Sequence, residues 1–244
     1  MKAMIFAAGM GTRLQPYTLT MPKALVPVAG VPMLEVLIKH LMGQGISKII
    51  VNVHHFADQV VAFIEKNQGF GAEIAFSHED DYLLDTGGGL KKASWFFDDD
   101  KAFLVQNVDI ICDLKYKEFF KSHQDSGAMA TLAVSRRTSS RYFLFDDNMQ
   151  LCGWENTKTS EVKMSRSGQG HLQRYAFSGI HAIEPDIFGY MNQEGKFSIV
   201  DTYLSLAADH RILGFEHDAT NWADMGRPEE LLKADRILKN HHEQ

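Results

Sequence analysis

Lys2-Ala3-Met4-Ile5-Phe6-Ala7-Ala8-Gly9-Met10-Gly11-Thr12-Arg13-Leu14 opens with a short apolar run that breaks on glycine. An apolar run of that length, flanked by glycine, reads as a buried strand over Lys2 to Ala7. Glycines just past a strand let backbone N–H groups approach a phosphate, because no side chain intervenes. The same letters also suit a tight structural turn, and the loop alone does not choose between the two. Two familiar loops are excluded. The dinucleotide fingerprint needs a third glycine where Leu14 stands, and the P-loop needs Gly-Lys-Ser/Thr, which occurs nowhere in the chain.

Outward from this strand the pattern alternates. Pro32 can open a helix on which Leu34, Leu37, Ile38 and Leu41 recur at helical spacing until Gly43 and Gly45. Lys48 to Val53 is the next strand, and Asp58 to Lys66 carries Val60, Val61 and Ile64 in helical register. Glu73 to Ser77 reads as a strand, Leu90 to Phe97 as a short helix, and Ala102 to Gln106 as a fourth strand. Strands alternating with helices over short loops predict an α/β, Rossmann-like fold: a mixed, mainly parallel central sheet flanked by helices.

After Asp113 the texture changes. Ala128 to Val134, Tyr142 to Phe145 and Tyr175 to Ala182 read as strands. Asn156 to His171 is polar without apolar periodicity, which predicts a long loop or hairpin over a site. Pro185 to Met191 and Ile199 to Ala208 read as helices, and Arg211 to Glu216 and Trp222 to Asp224 as short strands. Pro228 to Asn240 reads as a closing helix. With no repeat or linker, the simplest organisation is one domain over 1–244, with a first half to 113 and an irregular second half over 114–244.

Composition narrows the functional classes. Of 244 residues, 45% are hydrophobic and 23% charged, which excludes a disordered tail, a collagen-like repeat and a coiled coil. The net charge of -6 argues against nucleic acid as partner, since phosphate neutralisation calls for a basic surplus. Cys112 and Cys152 match no zinc spacing and read as idle thiols of a reducing cytosol. The N-terminal apolar stretch is too short for a signal peptide, and no run of ~18 apolar residues spans a membrane. The expectation is a cytoplasmic protein with a small-molecule ligand. His54 and His55 are adjacent on a strand, point to opposite faces, and read as structural.

The loop carries Arg13, and Pro22-Lys23-Ala24-Leu25-Val26-Pro27 follows. Arg13 offers a planar fork matched to phosphate oxygens, and Lys23 a point charge between two prolines. Two cations beside a glycine loop suit a triphosphate. Asp109 follows a predicted strand, where open α/β sheets bind ligands at their carboxyl edge; a helix cap or turn carboxylate is the other use of that position. Asn52 ends the second strand and reads either as a base or ribose contact or as a turn asparagine.

Gly9-x-Gly11-Thr12-Arg13-Leu14-x-Pro16 with Pro22-Lys23 resembles the nucleotide-binding segment of the sugar-1-phosphate nucleotidyltransferases. The resemblance continues through Asp85-Thr86-Gly87-Gly88-Gly89, Asn107-Val108-Asp109, Phe177-Ser178-Gly179-Ile180 and Trp222-Ala223-Asp224-Met225-Gly226, in the family's order. The short bacterial N-acetylmuramate-1-phosphate uridylyltransferases and the mannose-1-phosphate guanylyltransferase-like members are the most similar in pattern. The family implies a GT-A-like fold, with nucleotide binding in the first half and sugar-phosphate binding in the second.

It also implies the roles. Arg13 and Lys23 are the catalytic cations. Ala7, Ala8, Gly9, Gly11, Thr12, Arg13, Lys23, Asn52, Thr86, Gly87 and Gly88 surround the nucleotide. Asn107, Ser178 and Gly179 contact the sugar phosphate, with Asp201 and Arg141 as possible additions. Asp109 and Asp224 hold Mg2+, a pairing that sequence separation alone never suggests. The partners implied are a nucleoside triphosphate and a sugar 1-phosphate: UTP with N-acetylmuramate 1-phosphate or a related hexose 1-phosphate, or GTP with mannose or heptose 1-phosphate. A non-catalytic nucleotide-sugar sensor and a phosphocholine cytidylyltransferase are the rival classes. Two departures bear on the sugar. Val108 stands where many relatives have glycine, and no carboxylate matches in Ser139-Ser140-Arg141-Tyr142-Phe143.

Overall fold

The computed structural model describes residues 1–242. β1 (Lys2–Phe6) lies between two parallel neighbours. A small hairpin of β2 (Pro27–Val28) and β3 (Val31–Pro32) leads into α1 (Met33–Gly43). β4 (Lys48–Val53), α2 (Ala57–Lys66), β5 (Glu73–His78), α3 (Asp85–Lys92) and β6 (Phe103–Asn107) complete the alternating half. The order β5-β4-β1-β6 is parallel throughout. In β1, Ala3 and Ile5 enter one core with α1, while Met4 and Phe6 enter the other with Leu90 of α3. That is the two-residue period of a strand covered on both faces.

The second half adds β7 (Ile110–Cys112), α4 (Tyr116–Ser126), β8 (Ala130–Ser135), β9 (Arg141–Phe145), β10 (Leu151–Asn156), β11 (Glu161–Met164), β12 (Gln173–Ile183), α5 (Ile199–Leu206), β13 (Ile212–Glu216), β14 (Trp222–Asp224) and α6 (Leu231–His242). Among the described residues, ten strands from both halves form one mixed sheet. β12 runs antiparallel to β6 and joins the halves. Its register breaks between Phe177 and His181, where Gly179 has φ +76°, so one strand pairs with β9, β8 and β6 in turn.

Two expectations shift, and the alternative of a hairpin over 156–171 is met. The helix predicted from Leu90 begins at Asp85, so Gly87 to Gly89 lie inside it instead of in a turn before it. Pro185–Tyr190 forms 3-10 turns and not an α-helix. The polar 156–171 stretch contains a true hairpin, with β11 paired antiparallel to β10 and its residues exposed. α4 had a readable signal in the spacing of its buried Tyr116, Phe119 and His123, closed by Gly127 at φ +63°.

Candidate functional site

Parallel pairing sets the site before any side chain does. Phe6 is in register with both Asn52 and Asn107, so β4, β1 and β6 end together and the glycine loop leaves from that edge. Asn52 is buried; its Oδ1 accepts the Ala7 N–H at 2.7 Å and its Nδ2 donates to Glu79 Oε1 at 2.7 Å. Both ends of the Asn52 side chain are thus occupied within the protein. Gly9 has open space where a Cβ would stand. Gly11, at φ +64°, turns the chain so tightly that a Cβ would lie 2.7 Å from Thr18 Cγ2 and 2.8 Å from Lys23 Cβ. Thr18 Oγ1 donates to Gly11 O at 2.9 Å and clamps the turn. Thr12–Leu14 then forms one 3-10 turn that buries Leu14 and leaves the Arg13 side chain half exposed.

Lys23 begins the third 3-10 turn of this stretch, behind Pro22, and its Nζ pairs with Asp109 Oδ2. Asp109 lies two residues beyond β6. β7 follows at once and pairs antiparallel with β14, placing Asp224 opposite Ile110. Met225 N–H donates to Asp109 O at 2.7 Å, which locks the two segments together. The carboxyl groups of Asp109 and Asp224 therefore interact directly. Burial, and the Asp224 charge with it, push Asp109 above the usual carboxylate range against the pull of Lys23. Burial also opposes ionisation of Asp224, yet its contact with Asp109 and the Arg13 and Arg227 guanidiniums hold it below that range. Arg13 Nη1 donates to Asp224 Oδ2 at 3.3 Å, Arg227 Nε donates to it at 2.9 Å, and Gly226 N–H donates to Oδ1 at 3.0 Å.

Of these groups, Arg13, Lys23 and Asp109 line a cleft of about 270 Å³ whose walls also include Ala8, Gly9, Thr86 and Asn107. A larger, mostly apolar cavity of about 530 Å³ beneath α1 and β7 contains none of the candidate residues. Among the described residues, no group of three or more His, Cys, Asp or Glu is arranged as a metal cage. Two facing carboxylates at a cation-lined cleft fit a hard divalent cation that takes its other ligands from water and phosphate, the habit of Mg2+.

Several candidates sit otherwise than the letters suggest. The amides of Gly87 and Gly88 both donate to Phe197 O, at 2.9 and 3.3 Å, so they are not presented to a base edge. A Cβ on Gly87 would meet the Phe197 ring at 2.4 Å, and one on Gly88 would meet Gly195 O at 2.2 Å. These glycines admit the 195–197 segment. Thr86 Oγ1 accepts the Ile199 N–H at 3.0 Å while lining the cleft. Ser178 is fully buried, and its hydroxyl pairs with His217 Nε2 at 2.7 Å. Gly179 packs against Asn107, where a Cβ would fall 2.9 Å from Nδ2. Val108 joins the hydrophobic core, and Cys112 and Cys152 are buried free thiols. Asp201 is bound to Lys163 at 3.0 Å.

Glu79 was not visible in the sequence. In Glu79-Asp80-Asp81 it reads as one of three solvated acids, yet it is 1% exposed and ties Asn52 to the Leu84 N–H at 2.8 Å. Arg137 and Arg227 were also missed, because nothing in their neighbours predicts convergence on β14.

A family profile described as nucleotidyl transferase matches residues 2–241. The chain belongs to the nucleotidyl transferase family. Within it, the chain is 30% identical over 256 aligned positions to a UTP–glucose-1-phosphate uridylyltransferase of Synechocystis, covering 97% of this chain and 63% of that protein. It is 29% identical to the N-acetylmuramate alpha-1-phosphate uridylyltransferase of Caulobacter vibrioides, covering 97% and 96%. The chain thus spans less than two thirds of the first of these relatives and nearly all of the second. The Yersinia pseudotuberculosis protein HddC, crystallised with GMP-PN, shares the fold with a TM-score of 0.74 at 24% identity, covering 97% of this chain and 99% of that one. No helix among the described residues is long and apolar enough to cross a membrane.

Proposed function

We propose that the protein is an Mg2+-dependent sugar-1-phosphate nucleotidyltransferase. It joins the nucleoside monophosphate of a triphosphate to a sugar 1-phosphate and releases pyrophosphate. The observation that carries this reading is the meeting of Lys23, Arg13 and Asp109 at one cleft on the sheet's carboxyl edge, with Asp224 in contact with Arg13 and Asp109.

The chemistry needs no side-chain nucleophile. An anionic oxygen of the sugar phosphate attacks the α-phosphorus in line; the new O–P bond forms as the bond to the β-phosphate oxygen breaks and pyrophosphate departs. Two unit charges 4 Å apart interact by about 4 kcal/mol at an effective dielectric of 20, so holding two polyanions together is the main barrier the protein must lower. Lys23 sits at the α-phosphate, where charge shifts in the transition state, and Arg13 grips the β- and γ-phosphates. Ala7, Ala8, Gly9, Gly11 and Thr12 bring backbone against the nucleotide, and Thr86 and Asn107 line the same cleft. Asp109 and Asp224 would hold Mg2+, which neutralises phosphate charge when bound. The second half, 114–244, supplies the acceptor side.

UTP with N-acetylmuramate 1-phosphate is the first pair to test, supported by the full-length likeness to the Caulobacter enzyme. The experiment is pyrophosphate release with Mg2+ across four nucleoside triphosphates and N-acetylmuramate, mannose, glucose, N-acetylglucosamine and heptose 1-phosphates, with phosphocholine alongside. One strong pair establishes the activity, base and sugar together. Release with GTP and mannose 1-phosphate would replace the substrates and keep the reaction. No release with any pair, in protein that binds triphosphate, would leave a sugar outside this panel or a nucleotide-sugar sensor.

A further inference from the structure

A second cavity, of about 490 Å³, has Asp224 in its wall. Arg137, Ser139, Lys158, Trp222, Asp224 and Arg227 are among its walls. Asp224, a wall of this cavity, is ion-paired to Arg13 of the nucleotide cleft. Asp224 Oδ2 accepts Arg13 from the first cleft and Arg227 from the second. A two-substrate reaction between anions needs this layout, with one cationic cleft for each partner and the reaction centre between them.

Within the second cavity, Arg137 differs from the other cations. Its guanidinium carbon lies 3.8 Å from the centroid of the Trp222 ring. Its Nη2 donates to Phe177 O at 2.6 Å, while its Nε is buried without a hydrogen-bond partner. The ring beneath it is itself fixed: Trp222 Nε1 donates to Ser178 O at 3.1 Å, and β14 is paired with β7. Burial, which strips the guanidinium of water, lowers its pKa, but an arginine stays charged. A half-buried cation, stacked on a rigid indole at the wall of an open cavity, is held in place for an oxyanion, and little side-chain entropy remains to be lost on binding. Ser178, by contrast, is closed off by His217.

We infer that Arg137, carried on the β8–β9 connection and stacked on Trp222, binds the phosphate of the acceptor and sets acceptor affinity. The inference rests on the transferase reading above for the identity of its ligand. It assigns the acceptor's anchoring charge to a residue outside Asn107, Ser178 and Gly179.

Arg137→Ala and Arg137→Lys test it, each checked for an unchanged thermal midpoint. With the pair that the native protein turns over, Arg137→Ala raises the acceptor KM at least about 10-fold, the scale of one lost charge-assisted hydrogen bond. The KM for the triphosphate stays within about twofold. Arg137→Lys recovers part of the loss, because a lysine keeps the charge and lacks the fork. An unchanged acceptor KM, or an equal rise in both KM values, overturns the assignment. Should Arg137→Ala fail to fold, the lysine variant decides on the same criteria. Calorimetric titration of mannose 1-phosphate and of inorganic phosphate separates this idea from the reaction it rests on. Binding that weakens at least about 10-fold in the variants, in a native protein with no turnover, keeps the anion site and rejects the transferase. No binding of either probe and no turnover rejects both.

Discussion

Two glycine-rich segments, Gly9-Met10-Gly11 and the Gly87-Gly88-Gly89 that follows the cleft residue Thr86, use glycine in opposite ways. In the first, Gly9 leaves space into which a ligand can come, and Gly11 supplies a left-handed turn that sets Lys23 beside it. In the second, the missing side chains are already replaced by the protein's own atoms: the Phe197 ring and carbonyl, the Gly195 carbonyl, and Glu79 with Asn52. Glycine in a sequence says only that backbone approaches something closely. Whether that is a ligand or another part of the chain depends on what the fold brings there.

The comparison can be broken from either side. The largest effect should come from the cation beside the first segment: Lys23→Ala should lower kcat on the order of 10²-fold or more, as lost transition-state electrostatics do. A change confined to the triphosphate KM would reduce Lys23 to an anchor. Next, Gly88→Ala should cost about 1–3 kcal/mol, since its Cβ has nowhere to go. For a chain of this size that lowers the thermal midpoint by a few degrees per kcal/mol. A melting curve identical to the native one would show that the 195–197 segment is free to retreat.

Gly9→Ala should leave stability within about 0.5 kcal/mol, because the added methyl meets nothing. It should nevertheless raise the triphosphate KM, by narrowing the space kept for phosphate. If kinetics and melting both stay native, the space at Gly9 is not kept for a ligand.

The smallest effect concerns the wall behind β1. His181 packs against Phe6 and Phe177, pairs through Nδ1 with the Tyr203 hydroxyl at 2.5 Å, and has its pKa pushed down by burial to about 3. The unfolded chain, with an ordinary value near 6.5, takes up the proton first, so this contribution to stability is complete above that pH and declines as pH falls toward 3. Ring resonances of His181 should therefore not move between pH 8 and 5, while the thermal midpoint begins to fall below about 6.5. A His181 signal titrating near 6.5 would mean that the ring is hydrated.

Much of the first half was legible because its signals are local. Apolar runs bounded by glycine, and leucines at helical spacing, report burial within a few residues, and burial is what places β1, α1 and β4. The helix at Asp85 was misread because glycine is a poor helix former, and the packing that overrides propensity comes from residues 110 positions away. Glu79 was invisible for a similar reason, since one of three adjacent acids is buried by partners at Asn52 and Leu84.

The sequence by itself determined the alternating α/β order, the glycine loop at the end of the first strand, and the two cations set beside it. Each depends on residues close together in the chain. Only the tertiary structure decided that Asp224 faces Asp109, that Arg13 joins Arg227 at the same carboxylate oxygen, and that Arg137 lies on Trp222. Apart from Arg227, three positions from Asp224, those pairings join residues 85 to 211 positions apart, and they depend on the pairing of β7 with β14, a non-local contact that no short-range pattern encodes.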